Sequence, residues 1–146
     1  MKKSILIIIT IFFVIMCGLF IFLRNIQAEE RALKKENSQY EVYLNQEIYG
    51  TDLATLINKI INHNEKNNVQ KNKNGYYIED ENSITLQVNM KTVEKTYKME
   101  QFYNNDITMF VKNFNQIEFK CIDIEYKQNG KINSLTFEEI QEEIEE

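Results

Sequence analysis

The chain has 146 residues, a formal net charge of −5, two cysteines, and neither proline nor tryptophan. All 22 acidic residues lie at or after Glu29, while Lys2 and Lys3 alone among the 17 basic residues precede an apolar run. An acidic body without a basic stripe argues against nucleic-acid binding. Cys17 and Cys121 are far apart and outside any C-x-x-C pair, which argues against a disulfide framework.

Residues 1–4 form a short basic tail. Residues 5–23, ILIIITIFFVIMCGLFIFL, are broken only by Thr10, Cys17 and Gly18. As a helix this run spans roughly 28 Å, the hydrocarbon thickness of a bilayer. It predicts one transmembrane helix in the cell membrane, with Ile5, Phe12, Phe13, Leu19 and Leu23 among the side chains facing lipid. The run is longer than the apolar region of a secretory signal. Ala28 is a small residue placed for cleavage, although Ile26 stands at the outer position, so a secreted form released after Ala28 is the alternative. Met16-Cys17-Gly18 lacks the small residue that a lipobox places before its cysteine. Lys2 and Lys3 nearly balance Arg24, Arg31, Lys34 and Lys35 across the run. The short basic start has the form of an export signal and predicts an extracytoplasmic domain.

Residues 24–48 are expected to continue the helix as a juxtamembrane stalk. Leu19, Ile26, Leu33 and Tyr40 recur every seven residues, with Leu44 one turn beyond Tyr40. Ile26, Leu33, Tyr40 and Leu44 are therefore a candidate seam for a protein partner, or a stripe leaning on the chain's own domain. Residues 49–146 are expected to form one α+β soluble domain, large enough to bury a core. Gly50 would end the stalk and Thr51 would cap a helix over 51–64, whose Leu53, Leu56, Ile57, Ile60 and Ile61 define one apolar face. Residues 69–73 and 76–80 flank the hairpin signal Asn74-Gly75. Ser83 to Met90 alternates as a half-buried strand that 92–99 can pair with. Residues 106–115 return to helical spacing, with Asn105 or Asp106 as cap. Residues 117–127 form a central strand, and Asn129-Gly130 turns it into 131–137. Thr136-Phe137-Glu138-Glu139 has capping-box spacing and predicts a short acidic helix at the end. The sum is a small antiparallel sheet packed against one or two helices.

No catalytic, cofactor-binding or metal-binding set is expected. Asn72, Asn74, Gly75 and Glu81 fall on calcium-loop positions, but Gln70 replaces the first acid, Lys71 and Lys73 add positive charge, and a hairpin turn explains the same residues. His63, the lone histidine, has no partner supplied by a motif. Cys121 alternates with Phe119 as a small core hydrophobe. Glu138, Glu139, Glu142, Glu143, Glu145 and Glu146 read as a solvated face. Tyr76, Tyr77, Tyr97, Tyr103 and Tyr126 suit either a recognition surface or a pleated face.

An apolar N-terminal helix running into an amphipathic half and then a small sheet resembles the layout of pilin-type proteins. The likeness is one of layout: Gly18 lies inside the run, and Leu23 stands where a prepilin signal places glutamate. Residues 48–59, IYGTDLATLINK, are similar to segments of small uncharacterised single-pass membrane proteins of low-GC Gram-positive bacteria. That similarity carries no known activity. The long anchor-plus-stalk helix and the absence of catalytic groupings point to a non-enzymatic, membrane-anchored extracytoplasmic module of a cell-envelope or pilus-like assembly, with the lipid bilayer and a protein as expected partners. A small-ligand binding protein or an enzyme with a site dispersed over the sheet is the alternative from another class.

Overall fold

A computed structural model describes residues 2–104 and 107–141, without the side chains of residues 2, 4, 5 and 8. The side chain of Ile5, the cap at Asn105 or Asp106, and the acidic residues Glu142, Glu143, Glu145 and Glu146 lie outside the described residues. The chain divides into two compact units, Met1–Glu36 and Asn37–Glu146.

The first unit is helical. Helix α1 spans Lys2–Glu41, and its last residues belong to the second unit. Gly18 is the sole glycine in this stretch and there is no proline, so nothing breaks the helix. Phe12, Phe13, Leu19 and Leu23 are all more than half exposed. Thr10 Oγ1 donates to Leu6 O at 2.9 Å, so the polar break in the run is satisfied within its own helix. Among the described residues, this one helix is long and apolar enough to cross a membrane.

The second unit is α+β. Its elements are β1 (Glu47–Tyr49), α2 (Gly50–Lys66), β2 (Thr85–Met90), β3 (Lys95–Lys98), α3 (Met99–Asn104), α4 (Ile107–Phe114), β4 (Glu118–Tyr126) and β5 (Ile132–Glu139). The strands form one sheet in the order β1-β4-β5-β2-β3. The β2–β3 and β4–β5 hairpins are antiparallel, the second turning at Asn129-Gly130 as predicted, and β4 is an interior strand. The sheet is mixed, however, because β2 and β5 pair in parallel from Thr85↔Ser134 to Asn89↔Glu138. The two hairpins join through the first strand of one and the second strand of the other, and these run the same way. The predicted end helix does not open at Thr136, because residues 136–139 are the end of β5; residues 142–146 of that prediction lie outside the described residues. Thr136, Phe137 and Glu138 pair with β2 on one side and β4 on the other, and this pairing overrides the capping-box spacing.

Leu53, Leu56, Ile57, Ile60 and Ile61 of α2 are buried with Leu86, Val88, Phe119, Leu135 and Phe137 of the sheet. Asn64, the last residue of the predicted helix, is fully buried. Its Oδ1 accepts from Ile84 N (2.9 Å) and its Nδ2 donates to Ile84 O (2.8 Å), pairing α2 with the strand entry as a neighbouring strand would. Gly50 opens α2 instead of ending the stalk, and Thr51 does not cap it: the cap position is Tyr49, with no side-chain cap bond. A Cβ on Gly50 would lie 2.0 Å from Phe114 O, so glycine is required by the close approach of α4's last turn.

The predicted stalk is shorter than residues 24–48. The helix ends at Glu41, and residues 37–48 belong to the domain. Tyr40 is 1% exposed, Asn37 Nδ2 donates to Gly130 O (2.8 Å), and Tyr126 donates to Glu41 Oε1 (2.9 Å). Leu44 has left the helix and bridges to Cys121.

Candidate functional site

The seam residues do not form one surface. Ile26 is exposed and Leu33 half-buried in the first unit, Tyr40 is a core residue of the second, and Leu44 lies at the sheet beside Cys121. Tyr40 is thus unavailable to a partner: the stripe leans on the chain's own domain at this position. Lys59 lies 4.7 Å from the Tyr40 ring centre and donates to Gln39 O at 3.1 Å, placing a cation at the carbonyl end of α1. Burial holds its pKa below the usual lysine value.

His63 is edge-on to Tyr40 at 6.3 Å, and its Nε2 lies 3.0 Å from Asn82 O. Cys121 is fully buried on β4 with its thiol on Asp123 O at 3.6 Å. Burial pushes the thiol pKa up to about 11, which suppresses the thiolate that nucleophilic chemistry needs. At Asn74-Gly75 the structure has a tight turn. Asn72 Oδ1 accepts from Asn74 N (2.9 Å) and Tyr76 N (3.1 Å), and Gly75 has φ +80°. Among the described residues, no cluster of three or more His, Cys, Asp or Glu is arranged to hold a metal.

Two concave features border β3. On the polar face of the sheet, a cavity of about 200 Å³ is lined by Tyr77, Lys98, Glu100, Glu125 and Ser134. Glu100 is 4% exposed and accepts from Tyr77 N at 3.1 Å, and Glu125 accepts from Ser134 Oγ at 2.8 Å. Both carboxylates have bonding partners within the fold.

The second is a groove of about 280 Å³ between β3 and the helices α3 and α4. Its wall is a chain of aromatic rings. Tyr97 and Phe102 are 5.4 Å apart, Phe102 and Phe110 4.5 Å, and Phe110 and Phe119 6.1 Å, so the series runs from the rim to the buried core. Met109, half exposed, and Lys95 complete the rim. The strand beside it, β3, is an outer edge of the sheet. Tyr97 lies opposite the buried Val88, which fixes it on the groove side. The spacing of Met99, Phe102 and Tyr103 is the helical signal in the sequence that could have revealed α3 and this wall. Edge position depends on strand order, which no local pattern carries.

The fold and its surfaces define an α+β domain in a chain whose N-terminal helix is long enough to cross a membrane. No protein-family model, curated protein or solved structure matches the chain.

Proposed function

We propose that the protein is a single-pass, membrane-anchored module that displays its domain outside the cytoplasm and works by binding another protein of a cell-envelope assembly, without catalysis. The observation that carries this reading is the presence in one chain of an apolar helix exposed on all sides and a domain that leaves an aromatic groove open. A helix apolar on all sides needs apolar surroundings on all sides. Half-exposed aromatic residues beside lysine are the composition of a recognition surface. The domain's other notable groups, Cys121 and His63, support packing: one is a neutral buried thiol, the other lies against Tyr40.

The test is protease accessibility and crosslinking in native membranes. After removal of the wall, added protease should digest the domain without opening the membrane, the intact N-terminal segment should stay with the membrane, and crosslinkers on the domain should capture a second protein. A domain protected until the membrane is opened would reverse the orientation. A mature chain beginning just after Ala28 would make the protein secreted, and monomer alone at every crosslinking site would remove the binding role.

A further inference from the structure

We infer that β3 and its aromatic groove bind an extended partner segment of alternating acidic and apolar side chains, which adds as a strand to the sheet. This deepens the reading above and rests on it.

Strand addition needs backbone groups free at an edge. Lys98 N–H is taken by Gln101 Oε1 at 2.9 Å and so does not bond to β2. Antiparallel bonding alternates along a strand, so the N–H and C=O of Thr96 also point away from β2, toward the open edge. The Thr96 side chain agrees with that assignment, because its Oγ1 donates to Asn89 Oδ1 at 2.7 Å, across the close, non-bonded pair Asn89↔Thr96.

The side chains select the occupant. Lys95 and Tyr97 share the groove side of β3, and Lys98 lies on the opposite face beside the polar cavity. Each lysine ammonium rests near an aromatic ring, Lys95 at 4.7 Å from Tyr97 and Lys98 at 5.6 Å from Tyr76. Neither forms a salt bridge to a carboxylate among the described residues, in a chain with more acidic than basic groups. An added strand would point alternate side chains into the groove and out to solvent. Apolar residues suit the rings on the groove side, and acidic ones, on the other face, suit Lys98. A second copy is disfavoured, because β3, Lys-Thr-Tyr-Lys, carries no carboxylate to set against Lys98.

The experiment uses the full chain in phosphatidylcholine nanodiscs. The probe is a short capped peptide alternating Glu with Leu, Phe and Val. It should slow amide exchange at Thr96, and the variant Lys98→Glu should weaken binding about tenfold. The same variant should instead bind the peptide with Lys in place of Glu, a rescue that a misfolded domain cannot give. Alternate N-methylation of the peptide should abolish binding. Equal binding of the N-methylated peptide, or none by the parent peptide, overturns strand addition. Protection of Thr96 that appears without peptide and rises with protein concentration, or that needs anionic lipid, assigns the edge to a second copy or to the membrane and overturns the inference. In native membranes, a photocrosslinker at Thr96 should capture an acidic-apolar segment. Capture at Tyr49 on the opposite edge but not at Thr96 would refute this surface and leave the binding role standing; capture at neither, nor at any other site, would remove both.

Discussion

The apolar run of α1 and the helix α2 are both rich in isoleucine, and their side chains meet different surroundings. In α2 the apolar residues fall on one face. Leu53, Leu56, Ile57, Ile60 and Ile61 are at most 1% exposed, while Thr51, Asp52 and Thr55 face water. In α1 Phe12, Phe13, Val14 and Ile15 point in successive directions around the helix, and each is more than half exposed. The two isoleucine-rich stretches thus differ in how apolar side chains are distributed around the axis, and that distribution states what each can be solvated by. One is completed by the sheet beneath it. The other has no polar face to offer water.

The comparison breaks first where the packing differs most. Ile57→Ala or Ile60→Ala should cost the domain about 2–5 kcal/mol, because each removes a fully buried side chain. Ile15→Ala should change stability by less than about 0.5 kcal/mol. Urea unfolding of the full chain in detergent, followed by tyrosine fluorescence, measures both, and equal losses would erase the distinction. A charge reverses the contrast. Val14→Lys should cost about 2.5–3.5 kcal/mol of membrane insertion, read by a translocation assay, and should leave the domain's urea midpoint in place.

A pH dependence sharpens the α2 side, since Cys121 lies in the core that α2 covers. The folded state holds the Cys121 proton up to a pKa of about 11, against an ordinary value of 9.0. Between these values the unfolded chain has lost a proton that the native chain keeps, so stability falls as pH rises through the window. Two units correspond to about 2–3 kcal/mol. Stability should therefore decline more steeply between pH 9 and 11 in the parent than in Cys121→Ala. Parallel curves would show that the thiol is not desolvated as the structure places it.

Periodicity made much of this legible. The apolar run, the α2 face, the β2–β3 and β4–β5 hairpins and the core position of Cys121 follow from repeats of 3.6 or 2 and from Asn-Gly turns. Relations between distant segments were not legible. The parallel β2–β5 pair depends on strand order, and the capping-box spacing at Thr136 yields to the pairing of Phe137 with Val88 and Cys121. Tyr40 fits a seven-residue stripe as well as a core, and only the fold shows Lys59 and His63 beside it. The groove was unreadable for the same reason: Tyr97, Phe102 and Phe110 come from three elements, joined by packing and not by spacing.

The smallest effect contrasts the polar residues of the two helices. Thr10 bonds its own helix at Leu6 O, so Thr10→Val leaves no orphaned group and should be close to neutral for insertion and folding. Asn64 bonds across to Ile84, taking both its N–H and its C=O inside a buried site. Asn64→Ala leaves both groups without their partner and should cost about 1–3 kcal/mol, since stranding a buried polar group costs its desolvation. The Ile84 amide should also lose its protection against hydrogen exchange while amides at the centre of β4 keep theirs. If Ile84 remained protected, its amide would have found another acceptor, and the strand-like role of Asn64 at the end of α2 would be replaceable. If protection fell throughout β4 as well, Asn64 would be part of the cooperative core, and the polar end of α2 would contribute to folding alongside its apolar face.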